Sequence, residues 1–182
     1  MINSQKVLYS NGKNDECMTP DYAVAPLLKY IPANKTVWCP FDTSQSAFVR
    51  LLRANGNRVI FSHIDNGQDF YTYEPQEHYD VIISNPPFTN KAKIFERAIS
   101  LNKPFLLLAP CTWFNDSAIC RLFKDKELQI MFFDKRIKFF VNGVVNNKIT
   151  FSSCFLGLGI LPKQIILEKI TTPAKTNKGG GQ

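Results

Sequence analysis

Near the middle of the sequence, an apolar run leads directly into a proline-rich turn: Asp80-Val81-Ile82-Ile83-Ser84-Asn85-Pro86-Pro87-Phe88. Its first half, residues 80–84, is a short apolar run, which predicts a strand buried on both faces. Proline fixes its own backbone angle and restricts the residue before it, so Asn85 and Pro86 are both held in extended geometry. The prolines also offer carbonyl oxygens without a competing N–H. The stretch therefore predicts a buried strand that ends in a rigid turn presenting an amide, carbonyl oxygens and an aromatic ring.

Short apolar runs alternate with helical patterns on both sides of this strand. Gly56 closes the first helix in the position where helices commonly end. The alternation predicts an α/β fold with a mainly parallel sheet covered by helices on both faces. Ligands bind such sheets at the carboxyl ends of the strands, so we expect the chemistry in the loops after Cys39, Phe61, Ser84 and Ala109. The further predicted strands are 37–39, 58–61, 104–109, 129–133 and 151–158, and the predicted helices are 44–54, 90–101 and 117–123.

Length and composition predict one domain. The chain has 182 residues with 45% hydrophobic content, which suits a single packed core over residues 1–170. Residues 171–182 are rich in Lys, Thr, Asn and Gly, and we expect a flexible tail there. No apolar run approaches a membrane span and the first ten residues lack a signal-peptide core, so a cytoplasmic protein without a membrane partner is expected.

The cysteines and the net charge limit the function classes. Five scattered cysteines with no CxxC pattern and only two histidines predict buried thiols, with neither a disulfide framework nor a metal site. The net charge of +7 suits a polyanionic partner, although many cytosolic proteins are mildly basic.

The turn after residue 84 is complementary to an amino group on a flat ring. The Asn85 side-chain oxygen and the Pro86 carbonyl can accept its two N–H bonds, while Phe88 stacks on the ring. Pro-Pro alone would indicate only a loop breaker. The Asn before it, the aromatic residue after it and the buried strand ahead favour the functional interpretation.

The segment from Asn85 to Phe88 resembles the Asn-Pro-Pro-aromatic signature of S-adenosylmethionine-dependent amino methyltransferases, especially the adenine methyltransferases of phages and restriction systems. The resemblance spans about residues 16–167 and implies a Rossmann-like class I methyltransferase fold with an antiparallel strand near the C-terminus. It implies catalytic roles for Asn85, Pro86, Pro87 and Phe88, and S-adenosylmethionine as cofactor. The implied cofactor-binding residues come from four segments: Thr19 and Pro20; Pro40, Phe41 and Asp42; His63 and Ile64; and Asp69 and Phe70.

The mechanism that the resemblance implies is direct transfer. Hydrogen bonds to Asn85 and Pro86 would draw the amino nitrogen toward a nucleophilic state in line with the sulfonium methyl group, with no covalent enzyme intermediate. A duplex substrate would flip its adenine out of the stack and onto Phe88.

Two positions depart from the family pattern. Thr43-Ser44-Gln45-Ser46 stands where the family commonly has Gly-x-Gly, and side chains leave less room for a ligand to approach the backbone. His63 follows the second strand where an acidic residue usually holds the ribose. Asp42 or His63 would then substitute, or cofactor binding would be weak.

A basic and aromatic stretch, residues 135–140, suits contact with a nucleic-acid backbone and stacking on bases. We expect Lys91, Arg136 and Lys138 to contact nucleic acid. The alternatives are an ordinary solvated hairpin with Phe139 or Phe140 in the core, and a surface role for Lys91.

The sequence thus predicts methyl transfer to the 6-amino group of adenine in nucleic acid, with DNA favoured over RNA. Only nine residues separate Phe70 from Asp80 and seventeen separate Phe133 from Phe151, too few for a large target-recognition insertion. Specificity would be loose, or supplied by a homodimer or a partner protein. The alternatives are a weakly active or inactive methyltransferase-fold binding module in phage–host conflict, and methylation of tRNA adenine, cytosine or protein glutamine.

Overall fold

A computed structural model describes residues 18–141, 144–145 and 151–171. Glu16 and Cys17 of the predicted N-terminal cofactor segment lie outside the described residues, as do residues 172–182 of the predicted tail.

Seven described strands form one sheet. Across the sheet they lie in the order β2 (Arg58–Phe61), β1 (Thr36–Cys39), β3 (Val81–Ser84), β4 (Phe105–Pro110), β8 (Ser153–Leu158), β5 (Gln129–Phe133) and β9 (Ile165–Glu168). The strand β8 is antiparallel to both of its neighbours, while the other pairings are parallel. The predicted mainly parallel sheet with an antiparallel strand near the C-terminus is therefore confirmed. A separate hairpin consists of β6 (Phe140–Val141) and β7 (Val144–Val145).

Helices cover both faces of the sheet, as predicted. One face packs against α1 (Asp21–Val24), the 3₁₀ segment Ala25–Tyr30 and α2 (Ala47–Ala54). The other face packs against α3 (Lys91–Ser100) and α4 (Ser117–Phe123). Successive strand residues point to opposite faces, so Ile82 lies in the second core while Val81 and Ile83 lie in the first.

Polar side chains set the ends of several elements. Asp116 accepts hydrogen bonds from the N–H groups of Ala118 (2.9 Å) and Ile119 (3.4 Å), which caps α4. Gly56 follows α2 with φ +89° and donates to the Arg53 carbonyl at 3.0 Å, as the sequence predicted. These contacts fix where the helices start and stop relative to the sheet.

The predicted element bounds differ from the structure by one to three residues at several places. The first predicted helix starts at Ala47 instead of residue 44, because the Ser46 side chain closes a turn on Thr43. The strand predicted from residue 151 starts at Ser153. A further short strand that was not predicted, β9, follows it and extends the sheet beside β5.

The expectation of uniformly buried thiols was wrong for Cys120. That residue is exposed on α4, where its Sγ lies 3.2 Å from the Phe114 carbonyl. Cys39 and Cys154 are buried and Cys111 is half-buried. Within the described residues, no helix has the length and apolar character that crossing a membrane requires.

Candidate active site

Strands β1, β2, β3 and β4 run in the same direction, so their carboxyl ends meet at one edge of the sheet. The loops after these strands carry most of the side chains that the sequence singled out. The N-terminal segment that starts at Met18 reaches the same edge through Thr19, which contacts Asn85.

Asn85 is half-buried directly after β3. Its Nδ2 donates to Thr19 Oγ1 at 3.2 Å. Its Oδ1 is buried and has no hydrogen-bond partner among the described residues. Buried polar atoms are nearly always hydrogen-bonded, so this oxygen is an acceptor poised for a ligand donor.

The two prolines and Phe88 complete the turn. Pro86 is buried and Pro87 is exposed. The half-buried Phe88 ring meets Trp113 and Phe151 edge-on, with centroid distances of 5.8 and 5.4 Å. Trp113 and Phe151 therefore hold the aromatic ring of the signature at this edge.

A buried polar link joins the loop after β1 to the turn at residues 85–88. Ser84 Oγ donates to Asp42 Oδ2 and accepts from the Phe41 N–H at 3.2 Å. Asp42 and Ser84 are both buried. The sequence identified Asp42 but not Ser84, because nothing in the local pattern predicts a contact between residues 42 positions apart.

The segment that lacks the expected glycines forms a compact turn. The Thr43 N–H donates to Ser46 Oγ at 3.0 Å, and the Ser46 N–H donates to the Thr43 carbonyl at 3.1 Å. A serine hydroxyl thus closes this loop with ordinary backbone angles at Ser46, φ −60° and ψ 143°.

The loop after β2 carries His63, Ile64 and Asp65. His63 Nδ1 accepts from the Asp65 N–H at 3.3 Å and lies 3.4 Å from Asp65 Oδ2. The side chain of Ile64 is 64% exposed. Asp65 supplies an acidic group near the end of β2, slightly farther along the chain than the family pattern has it, and the sequence interpretation missed it.

Asp69 and Phe70 lie beside the loop after β1. The Phe70 ring is buried, and its centroid is 4.8 Å from that of Phe41. Asp69 Oδ1 accepts from the Tyr71 N–H at 3.1 Å. The structure thus brings together two predicted cofactor residues from separate segments, Phe41 and Phe70.

Lys91 opens α3 and lines the same cleft as Phe88. Its Nζ lies 2.6 Å from Asp116 Oδ2 and 5.8 Å from the Trp113 ring centroid. The Lys91 ammonium group lowers the pKa of the Asp116 carboxyl, with help from the helix N–H groups that it caps. A cleft of about 450 Å³ lies here, lined by Phe88, Asn90, Lys91, Ala92, Lys93, Trp113, Asp116 and Ala118.

The basic stretch before β6 packs against the N-terminal segment. Phe139 and Ile137 are buried in the core, whereas Arg136 and Lys138 are exposed. One alternative given by the sequence was a hairpin with Phe139 or Phe140 in the core, and the burial of Phe139 confirms that part of it. The proposed nucleic-acid contacts of Arg136 and Lys138 stay a prediction.

Comparison with solved structures identifies similar folds at low sequence identity. A predicted O-methyltransferase from Agrobacterium tumefaciens is 13% identical with a TM-score of 0.50, over 84% of this chain and 88% of that chain. This chain has a Rossmann-like methyltransferase fold. A protein from Listeria monocytogenes assigned to the class I S-adenosylmethionine-dependent methyltransferases is 11% identical (TM-score 0.47, 93% of this chain, 70% of that chain). Precorrin 8w decarboxylase from Methanobacterium thermoautotrophicum is 12% identical (TM-score 0.41, 87% and 90%).

No protein-family model and no curated protein matches the sequence. The methyltransferase fold accounts for the location of the site at the carboxyl edge of the sheet. The reaction has to be argued from the side chains at that edge.

Proposed function

We propose that this chain transfers a methyl group from S-adenosylmethionine to the 6-amino group of adenine in nucleic acid, with DNA favoured over RNA. The observation that carries the proposal is the buried Asn85 Oδ1 without a partner among the described residues, at the end of β3 and followed by two prolines. A ring amino group supplies the donor that this oxygen lacks. The similarity to the predicted O-methyltransferase from Agrobacterium supports a methyltransferase fold, which is the fold that the proposed reaction requires.

The residues at the edge of the sheet suit the parts of S-adenosylmethionine. Phe41 and Phe70 offer an apolar wall for the adenine ring of the cofactor. The half-buried Asp69 offers a carboxylate oxygen as acceptor for the amino group of that ring. His63 and Asp65 offer polar groups to the ribose hydroxyls, in place of the usual acidic residue.

Three exposed apolar side chains border these segments. Met18 is 48% exposed, Ile64 is 64% exposed and Tyr71 is 38% exposed. Isolated exposed apolar residues are common, but all three adjoin or belong to segments that the sequence assigns to the cofactor. A bound nucleoside would cover part of them, so the donor set and the apolar surface both fit this cofactor.

When bound, S-adenosylmethionine supplies a methyl group on a positively charged sulfur. Asn85 Oδ1 and the Pro86 carbonyl accept the two N–H bonds of the substrate amino group, which directs the nitrogen lone pair away from the ring. Phe88 supports the ring face. With the cofactor bound, a nitrogen–carbon bond would form as the sulfur–carbon bond breaks, which would leave S-adenosylhomocysteine, and the nitrogen would release one proton to water. The buried Asp42 carboxylate, held by Ser84, would favour binding of a positively charged cofactor at this edge of the sheet.

Basic groups near the catalytic turn support a polyanionic substrate. Arg136 and Lys138 would contact phosphates, and Lys91 would do so by exchanging its ion pair with Asp116 for a phosphate. The net charge of +7 favours association with a polyanion. The duplex would have to present an extruded adenine, because the amino nitrogen is out of reach inside the stack.

A binding module without efficient catalysis is the second candidate. The turn at Thr43 to Ser46 favours it, because side chains occupy the loop where glycines would admit a ligand close to the backbone. Such a module would bind nucleic acid or protein and leave the methyl group on the cofactor.

Two measurements separate these candidates. Titration calorimetry with S-adenosylmethionine should give saturable heat, and no heat at millimolar ligand would contradict the enzyme proposal. Incubation with methyl-labelled cofactor and DNA, tRNA or protein should then label DNA most strongly. Label in tRNA or protein alone would correct the substrate class, and cofactor binding without transfer to any acceptor would favour the binding module.

A further inference from the structure

The cleft of about 450 Å³ beside Phe88 is lined by residues from the first turn of α3 and from the start of α4. Its volume lies in the range of small-molecule sites, about 300–1,000 Å³. Two aromatic and two alanine residues contribute apolar surface to the lining. Among the described residues that line it, the charged ones are Lys91, Lys93 and Asp116. The cleft therefore combines apolar surface with two cations and one anion.

One lysine of the cleft forms an ion pair with its carboxylate. Lys91 Nζ, on α3, lies 2.6 Å from Oδ2 of Asp116, the residue before α4, and both side chains are half-buried. The other carboxylate oxygen, Asp116 Oδ1, accepts from the N–H groups of Ala118 and Ile119. A single carboxylate thus caps α4 and neutralises the lysine. Lys93 is exposed at the same cleft.

We infer that this cleft binds the sugar and phosphate of the nucleotide next to the target base, and that Asp116 competes with that phosphate for Lys91. The identity of the ligand rests on the proposed function. Because Phe88 both supports the target base in that proposal and lines the cleft, the nucleotide that enters the cleft is the one that adjoins the target. The phosphate replaces the carboxylate at the lysine ammonium group, and the apolar lining covers the sugar.

Competition gives Asp116 an effect opposite to that of a purely structural ion pair. Asp116→Asn removes the negative charge that occupies Lys91 and repels a phosphate. The variant keeps a side-chain oxygen that can cap α4, since Asn is as good as Asp at this position. Asp116→Asn should therefore bind DNA more tightly than wild type does. If the carboxylate only held Lys91 in place, the same variant would bind DNA less tightly.

The test measures the Kd of a DNA duplex with one unpaired adenine for wild type, Lys91→Gln, Asp116→Asn and the double variant. Asp125→Asn, at an exposed position after α4, changes the net charge equally and is the control. Asp116→Asn should raise the affinity about two- to fivefold beyond the control, and Lys91→Gln should lower it. In the Lys91→Gln background the gain should fall by about half or more. A gain no larger than the control's, or one equal with and without Lys91, would overturn the inference.

A second experiment identifies the source of the phosphate. Uncharged methylphosphonate linkages replace the phosphates of the duplex one at a time. Replacement at one position next to the unpaired adenine should lower the affinity of wild type and remove the gain of Asp116→Asn. The absence of such a position, or displacement of the duplex by micromolar inorganic phosphate at constant ionic strength, would overturn the assignment to a nucleotide.

These binding measurements are independent of methyl transfer. If the variants show the expected pattern but wild type labels no adenine, the proposed function fails and the cleft still binds a nucleotide. If wild type methylates DNA but Asp116→Asn gains no affinity beyond its control, the inference about the cleft fails and the proposed function stands.

Discussion

Ser84 connects the end of β3 to the loop after β1. Its fully buried hydroxyl both donates to Asp42 and accepts from the Phe41 N–H. Asn85 follows it directly, so the position of the Asn85 amide, to which we assign the substrate contact, depends on this link. The same link places Asp42, which the sequence assigned to the cofactor, behind the turn.

Ser84→Ala should destabilise the protein and weaken cofactor binding, because it leaves a buried Asp42 oxygen and the Phe41 N–H without this partner. We expect a loss of about 1–3 kcal/mol in the free energy of unfolding. Urea unfolding measures the first effect, and calorimetry with S-adenosylmethionine measures the second. Ser117→Ala, at an exposed position in α4, is the matched control. Equal stability of the two variants would contradict the role of the Ser84 hydroxyl.

For individual residues, the sequence indicates which loops meet but not which atoms pair. Asn85 and Phe88 could be identified because proline restricts the local backbone and the aromatic residue follows at a fixed spacing. The contacts Ser84–Asp42, Thr19–Asn85 and Lys91–Asp116 join distant parts of the chain. Local periodicity carries no information about such pairs.

Among the elements, β8 depends on a glycine for its fit between β4 and β5. A Cβ on Gly157 would stand 1.8 Å from the Phe105 carbonyl oxygen. Gly157→Ala should therefore force the strands apart and destabilise the protein by about 1–3 kcal/mol or more. The midpoint of urea unfolding measures this effect. Gly67→Asn is the control, since a Cβ added at Gly67 would have no atom within 4 Å beyond its neighbours in the chain, and Asn tolerates the positive φ there. A Gly157→Ala variant as stable as wild type would show that β4 and β8 are not packed this closely.

Asp80, the residue before β3, connects this strand to the start of β1. Its Oδ2 accepts from the Thr36 N–H at 2.8 Å, and this hydrogen bond is the main cause that lowers the pKa of Asp80, with Lys35 adding to it. Because the pKa of Asp80 is lower in the folded state, its carboxylate stabilises the folded protein fully at pH values above the unfolded pKa of about 4. This stabilisation is lost as the pH falls through the folded pKa.

The stability difference between wild type and Asp80→Asn should therefore shrink as the pH is lowered from neutral to strongly acidic. Urea unfolding at a series of pH values measures it. Asp125→Asn, at an exposed position after α4, serves as the control variant. A difference that stays constant or grows toward acid pH would contradict the assigned role of the Asp80 carboxylate.

Element prediction succeeded where burial is strong and failed at the edge of the sheet. The strands β3 and β4 are buried along their whole length, so their apolar runs identify them. In β9, Ile165 is 60% exposed and Leu167 is 80% exposed, and the strand has only four residues. A short apolar run that remains exposed gives no burial pattern against which a strand can be recognised.

For the whole molecule, the positions of the basic residues decide whether the net charge of +7 can serve nucleic-acid binding. The exposed Arg136 and Lys138 are on the segment that hydrogen-bonds to Met18 and Tyr22, on either side of Thr19 in the sequence. Arg136→Gln/Lys138→Gln should weaken DNA binding and reduce the dependence of log K on log salt by about one for each phosphate that the protein no longer neutralises.

Lys124→Gln/Lys126→Gln removes the same charge from the exposed turn before β5, at the amino edge of the sheet. Fluorescence anisotropy at several salt concentrations compares the two double variants. Equal loss of affinity in both would mean that only the total charge attracts DNA, and unchanged binding in the Arg136 and Lys138 variant would make that segment structural.

The proposed reaction depends above all on Asn85, which directs methyl transfer to the amino nitrogen of adenine. Its decisive test incubates DNA with S-adenosylmethionine carrying a deuterated methyl group, followed by digestion to nucleosides and mass spectrometry. Wild type and the exposed-site control Asn34→Ala should yield adenine labelled on its amino nitrogen, and Asn85→Ala should yield none. Absence of labelled adenine with wild type, or equal label with Asn85→Ala, would contradict this role of Asn85.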